Sequence, residues 1–476
     1  MKLMIVFGFI AILFANPPWN INVQVSQDPG NGNQNETTMA IFGDSLICGG
    51  WNDSRQGSYH VGFAASTDGG TTWHETLMVE PTYPSDCDPC ILVDEFGVIY
   101  YIWLSYNPNT MVGDNFLTKS IDWGRTWGPS LNINPGTSST LDDKPWGCID
   151  GNNVFFTWYE YGGSNGLKFK RSTDYGATWS AGIVVGSGGN GTTPFRGQDS
   201  TVFVGWGAQD VRLNKSTNMG TTWQGQQTII PAIWNPPSTP YRLNNIPCFK
   251  TSVNRSNSYV VFADSRLGSG QLDVFFSRST NQGTNWSAPV KINDTPAGDT
   301  TLQFYPWMAV DPSDNIHVVW HDTRGHSRYY IGQYYAYSSD QGITWSANQR
   351  VSDTVAYTGT FIGDYTASAA SAGYIYALWC DCRNGSSNPD VFFSKTQNLV
   401  SVKEDQIVTN PKIDFMLNFP NPFTRSSRII YSPSDAELRF YQADGRRVKE
   451  LNARGIYFVR LKKDGQSITR KLIMIE

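Results

Sequence analysis

An eight-residue pattern recurs six times along the chain, and its recurrence restricts the fold more than any other feature. It reads STDGGTTW at 66–73, SIDWGRTW at 120–127, STDYGATW at 172–179, STNMGTTW at 216–223, STNQGTNW at 279–286 and SSDQGITW at 338–345. An aromatic residue closing a β-like run precedes each copy, at Trp51, Trp103, Trp158, Trp206, Phe262 and Trp320, and a seventh stands at Trp379 with no copy after it. Self-similarity at roughly 50 to 60 residues, with short alternating strands between, is the pattern of an all-β propeller whose repeat is one four-stranded blade. Composition agrees: charged residues are only 16%, aromatics 14%, and glycine and proline number 45 and 25, which favours short strands and turns over helices.

The missing seventh copy has a counterpart at the other end. WNINVQVS at 19–26 matches WSAPVKIN at 286–293, with Trp first, Val23 aligned to Val290 and Val25 to Ile292. Trp19 then stands for the lost box tryptophan, the N-terminal segment supplies the outer strand of the last blade, and the ring has no open edge. The expectation is a seven-bladed propeller over 16–400, the alternative being a six-bladed ring with one aberrant repeat.

Within each box, Ser and Asp side chains can bond turn amides, Gly permits positive φ, and Trp packs between sheets, so the motif reads as structural. Calcium fits poorly, since each box offers one carboxylate and two copies carry Asn218 and Asn281 instead. Of the seven cysteines, Cys87 with Cys90 and Cys380 with Cys382 lack a companion histidine. They read as small buried residues with one or two bridges, and neither a metal nor a cofactor is expected. The boxes resemble the Asp-box, or BNR, repeats of the sialidase superfamily, a resemblance that covers nearly the whole repeat region and implies glycan recognition.

The chain opens MKLMIVFGFIAILFA, a signal peptide over 1–15, and no later apolar run reaches transmembrane length. After VFFSK the repeats stop; 401–412 reads as a linker and 413–476 as a small β-sandwich. That tail carries 12 Lys/Arg against 7 Asp/Glu, about +5, which leaves about −10 for the rest of a chain of net charge −5 and excludes nucleic acid as the body's partner. FPNPF at 419–423, DGR at 444–446, GIYFV at 455–459 and RKLI at 470–473, in that order, resemble the C-terminal sorting domain of the type IX secretion system. The resemblance implies the type IX machinery as a partner and export to the surface or medium of a Gram-negative cell.

Blade topology says where to look for chemistry. The boxes lie between third and fourth strands, so the opposite face carries the turns between second and third strands and the connections from blade to blade. Four such turns read NDSR, ADSR, HDTR and CDCR, giving Arg55, Arg266, Arg324 and Arg383. Their planar forks suit a carboxylate sugar, and the sialidase resemblance implies a three-arginine cluster. The other reading is an ion-paired clasp with the aspartate two residues earlier.

The connections bring Glu36, Asp86, Asp88, Asp142, Asp143, Gln303, Tyr305, Asp364 and Tyr365 to the axis. The resemblance implies a tyrosine nucleophile activated by glutamate beside an acidic residue, which selects Tyr365, Glu36 and Asp364 as candidate catalytic residues. Two departures stand against it: the family's early Phe-Arg-Ile-Pro type motif is absent, and seven blades exceed the usual six. The expected function is recognition of extracellular glycans or glycoproteins, with hydrolysis of terminal glycosides such as sialosides. The alternative is a non-catalytic surface propeller binding protein or polysaccharide.

Overall fold

The computed structural model describes residues 18–27, 32–136, 139–231, 234–296 and 298–400, and in the tail 416–418, 430–432, 437–442, 447–448, 451, 455–463 and 466–474. The segments read as a signal peptide and a linker, and the tail motifs at 419–423 and 444–446, lie outside the described residues. The chain separates into two compact units, Met1–Lys403 and Glu404–Glu476. Regular structure among the described residues is entirely β, and no helix there is long and apolar enough to cross a membrane.

In the larger unit the strands follow one another as antiparallel meanders of four strands, seven among the described residues when the second and third, joined into one eight-stranded sheet by the single parallel pair Leu141 and Gly113, are counted apart. The first sheet runs Gln34–Phe42, Leu46–Asp53, His60–Ser66 and His74–Met78. The last takes Ala367–Ala370, Tyr374–Asp381 and Asp390–Gln397 from one end of the chain and Val23–Gln24 from the other. Val23 pairs with Phe393, and Val25 donates its amide to the Val391 carbonyl at 2.8 Å. The first strands (Gln34–Phe42, Ser85–Val93, Leu141–Asp150, Asn190–Arg196, Cys248–Thr251, Gln303–Val310 and Ala367–Ala370) contact one another in that order, and the seventh contacts the first. Repeated sheets of this kind make a β-propeller.

The core lies between neighbouring sheets. Phe63 of the first sheet packs edge-on against Trp127 of the next box at 4.8 Å, and Phe169 against Trp223, Phe276 against Trp345 and Phe393 against Trp73 repeat the contact. Trp19 meets Tyr335 in the same way at 5.2 Å. Each such ring taken from water contributes on the order of 1.5–3 kcal/mol. The box glycine is required by the same contact: at Gly342, φ is +83° and an added Cβ would lie 2.0 Å from the Phe276 ring.

The box side chains are consumed locally. Ser66 Oγ donates to Asp68 Oδ1 and accepts from Gly70 N, both at 2.8 Å; Asp68 Oδ1 also accepts the amides of Thr71 and Thr72, and Thr72 Oγ1 donates to Oδ2. Amide donation from Thr72 is the largest cause holding the Asp68 carboxyl down near about 2. Asn218 and Asn281 keep the amide-accepting bond at 2.9 Å, which is why asparagine suffices there.

Four first strands carry a bulge, between Asn35 and Thr38, Cys87 and Cys90, Asp143 and Trp146, and Phe304 and Trp307. The register sets two residues opposite one, Trp51, Trp103, Trp158 and Trp320 respectively, so each bulge adds a single residue. The first of the two is left-handed each time: Glu36, Asp88, Lys144 and Tyr305 have φ between 51° and 57°. A bulge of this sort re-aims a side chain, and non-glycine residues in this region of φ cluster at functional sites.

All seven cysteines are free thiols, so the expected bridges do not form. The residues of CDC alternate along an extended run, which keeps the two Cα atoms near the limit of disulfide reach. Burial pushes the Cys90 and Cys382 thiols up to about 12.

In the smaller unit, Met416–Asn418 pairs with Ile430–Ser432, and a four-stranded antiparallel sheet has the order Arg447–Val448, Glu437–Gln442, Gly455–Lys463, Gln466–Met474. Tyr457 and Val459 form its buried centre, with Leu438, Phe440, Val448 and Leu451 against them.

Candidate functional site

The bulge residues of the first three sheets meet. Lys144 Nζ lies 2.6 Å from Asp364 Oδ2, 3.1 Å from Asp88 Oδ1 and 3.4 Å from Glu36 Oε1. Arg242 forks onto Asp364, Nε donating to Oδ1 at 2.6 Å and a terminal N–H to Oδ2, and its tip is 3.6 Å from Glu36. Asn52 Nδ2 donates to Glu36 Oε2 at 2.9 Å, while its Oδ1 accepts the Asp88 amide at 2.7 Å. Gly363 must be glycine for this packing: φ is +94°, and a Cβ would sit 2.5 Å from the Glu36 amide nitrogen. Beneath the charges, Trp146 rests 5.1 Å from both Trp307 and Tyr365.

Burial acts on every group here, and the cations decide which carboxyl stays charged. Glu36 is pushed well above the usual range, first by desolvation and then by the Asp88 charge. Desolvation is the largest single influence on Asp88 and Asp364 and would raise both, but Lys144 together with a hydrogen bond from Glu36 at Asp88, and with Arg242 at Asp364, outweighs it, and both are held below the carboxylate range. Desolvation opposes the Lys144 charge, yet Asp364, Asp88 and Glu36 together raise it well above its ordinary value. The site therefore sets one acid whose proton is held more tightly than usual, Glu36, beside two acids, Asp88 and Asp364, paired to Lys144 and Arg242.

These groups form one wall of a cavity of about 1090 Å³. Its other walls include Met111, Gly162 and Gln209 from turns between second and third strands, and Ser139, Trp234 and Asn244 from connections between sheets. None of the six boxes contributes a lining residue, so the cavity lies on the face opposite them.

The structure brings Glu36 and Asp364 together and places Tyr365 just below them. The Tyr365 hydroxyl donates to Asp88 Oδ1 at 3.4 Å rather than to Glu36; the side chain is buried, does not line the cavity, and burial together with Glu36 and Asp88 drives its pKa far up. None of the four candidate arginines lines the cavity. Arg55, Arg266, Arg324 and Arg383 each return to their own Asp53, Asp264, Asp322 and Asp381. Three reach onward to Glu75, Asp294 and Asp353. In three of these sheets the same aspartate accepts the landmark indole, as Trp51 to Asp53 at 2.9 Å. Trp-x-Asp-x-Arg is thus a clasp: the buried carboxylate needs both the indole N–H and the guanidinium, which leaves no fork for a ligand.

Two principal residues escaped sequence reasoning. Lys144 was hidden in DDKPW, where only the acids drew attention, although a lysine between strand residues and before Pro145 was its visible sign. Arg242 lies in the long connection between Gln227–Ile230 and Cys248–Thr251, which has no counterpart in the other repeats.

A family model described as BNR/Asp-box repeat matches residues 336–347. Among curated proteins none matches the chain. Among solved structures the chain is similar to an alpha-L-arabinanase of Penicillium chrysogenum complexed with arabinobiose, at 12% identity and TM-score 0.47 over 80% of this chain and 99% of that one. It is similar also to a protein of unknown function from Dyadobacter fermentans, at 11% identity and TM-score 0.46 over 79% and 98%. A Hadza microbial sialidase is a third, at 15% identity and TM-score 0.43 over 60% and 63%.

Proposed function

We propose that the protein is a glycan-acting propeller whose cavity hydrolyses terminal glycosides, with Glu36 as general acid. The observation that carries this is the pair of acids Glu36 and Asp88, both on Lys144 in the wall of the cavity, with Glu36 pushed well above and Asp88 held below the usual carboxylate range. Glycoside hydrolysis needs that division of labour. Glu36 gives its proton to the leaving oxygen as the bond from that oxygen to the anomeric carbon breaks, the Asp88 carboxylate beside it stabilises the positive charge that develops on the sugar, and water then adds to the anomeric carbon and returns a proton to Glu36. Lys144, Arg242 and Asp364 hold these carboxyls in place, and the exposed edge of Arg242 faces an anionic substituent such as the carboxylate of a sialoside. Tyr365 positions Asp88 from below and is not the nucleophile.

The seven sheets are read as a seven-bladed ring closed by Val23–Gln24, and the tail as a β-sandwich that serves type IX export to the surface or medium of a Gram-negative cell. The four tail motifs and the leader at 1–15 support that route. A non-catalytic binding module is the second reading, favoured because Asp88 and Asp364 are already matched by Lys144 and Arg242.

The test is turnover of fluorogenic α-sialosides and α-L-arabinofuranosides by wild type, Glu36→Gln and Tyr365→Phe. Glu36→Gln is expected to lose roughly 10²–10⁴-fold in rate, with Tyr365→Phe retaining most of it. Abolition by Tyr365→Phe would reinstate a tyrosine nucleophile, and binding without turnover by wild type would establish the binding module.

A further inference from the structure

The sixth sheet differs from the others in carrying an added short strand, Ala356–Tyr357, which pairs with the start of Tyr330–Ser338. The addition sets Tyr357 opposite Tyr330 and next to Tyr329: the Tyr329 and Tyr357 rings stack at 6.1 Å with an interplanar angle of 19°, and Tyr330 meets Tyr357 edge-on at 5.3 Å. All three remain exposed, at 43%, 40% and 44%. Backbone bonds fix them, since Thr358 N donates to the Tyr329 carbonyl at 2.7 Å and Gly359 N to the Ser386 carbonyl at 2.8 Å. The near-parallel rings of Tyr329 and Tyr357, with Tyr330 standing edge-on beside them on paired backbone, are a preorganised aromatic surface.

Tyr329 also borders a separate hollow of about 370 Å³, lined by Ser238, Thr300, Thr301, Thr323, Ser327 and Arg328 among others. Aliphatic side chains are absent from that lining; hydroxyls, an imidazole and a guanidinium take their place. The hollow is built from the same classes of turn and connection as the large cavity, hence on the same face. One connection spans both: Trp234 and Arg242 line the cavity, Ser238 lines the hollow, and Tyr241 between them donates its hydroxyl to the Arg328 carbonyl at 2.5 Å.

We infer that Tyr329, Tyr330 and Tyr357, with the adjoining hollow, form a second saccharide-binding site that holds a further part of a polymeric glycan whose end occupies the cavity. A sugar presents an apolar C–H face and a rim of hydroxyls; the tyrosine surface matches the first and the hydroxyl-lined hollow the second. The ligand class rests on the glycan reading of the cavity, but hydrolysis is not required. Two linked sites raise the apparent affinity for a polymer without changing affinity for a monosaccharide.

Affinity electrophoresis of the full chain through gels containing linear arabinan or sialylated mucin tests this, with Tyr329→Ala/Tyr357→Ala, Tyr357→Phe and Arg242→Ala compared with wild type. The double variant is expected to bind the retarding polymer about tenfold more weakly, while its thermal midpoint and its turnover or binding of a fluorogenic monosaccharide stay at wild-type level. Tyr357→Phe is expected to keep the retardation, because stacking needs the ring and not the hydroxyl. Unchanged retardation in the double variant, or no retardation of wild type by either polymer, would overturn the second site. Loss of monosaccharide turnover and binding in wild type, with polymer retardation still dependent on the tyrosines, would remove the cavity reading and leave this site standing.

Discussion

Two sets of left-handed residues run round the propeller, one at the boxes and one in the first-strand bulges, and they treat their side chains differently. At the boxes the same serine and carboxylate or carboxamide recur, each bonded to amides within five residues of its own turn. In the bulges the backbone recurs but the side chains do not: Glu36, Asp88, Lys144 and Tyr305 share a conformation and find partners outside their own sheets, Tyr305 on the connection that carries Arg242. Local satisfaction makes the boxes independent and interchangeable. Non-local satisfaction makes the bulges a single unit, so one substitution is felt by several sheets.

The sharpest test of this contrast is Lys144→Met. It leaves Asp88 and Asp364 short of their shared cation in a buried site, and about 3–5 kcal/mol of stability should be lost in urea unfolding; a loss below about 1 kcal/mol would show that the bulge cluster is not a coupled unit.

His321 sharpens the same side through pH. It lies beside the Tyr305 bulge, and burial lowers its pKa from the ordinary 6.5 to about 3. Below pH 6.5 the unfolded chain takes up a proton that the folded one refuses until about pH 3. Stability therefore falls as pH drops through that window, by up to about 1.4 kcal/mol per unit. His321→Phe should flatten the excess pH dependence of the urea midpoint between pH 7 and pH 4.

On the box side, Gly342→Ala should cost roughly 1–3 kcal/mol through its clash with Phe276. Gly325→Ala, in a turn of the opposite face with φ of +75° and open space around it, should cost only about 1 kcal/mol. The smallest effect is expected from Asp174→Ala, on the order of 1 kcal/mol in thermal unfolding, with no change in ligand binding at the cavity. A change there would break the claim that boxes are independent.

Much of this organisation was legible because repetition is a sequence property. The spacing of the boxes and their tryptophans marked strands and turns, and by elimination the face that could carry chemistry. Glu36 and Asp364 stood out as acids at strand entries. What repeats cannot report is what occurs once: Arg242 sits in an unrepeated connection, and Lys144 gains meaning only when three sheets bring their carboxylates to it. Arg55, Arg266, Arg324 and Arg383 show the converse. They recur, and recurrence here marks a clasp under four of the seven landmark aromatics, which short motifs cannot distinguish from a ligand fork.

The strand Val23–Gln24 has a consequence for how the molecule comes into being. Asn20 accepts a hydrogen bond from Ser394, a partner 374 positions away. Closing a segment that long costs roughly 5 kcal/mol in chain entropy, and nothing repays it until six sheets stand between the two ends. The earliest structured stretch to be synthesised must therefore wait, extended and unpaired, for almost the last. Assembly is slow by its topology, and a chain cut short before residue 390 would keep six sheets while stranding its own beginning as a sticky edge.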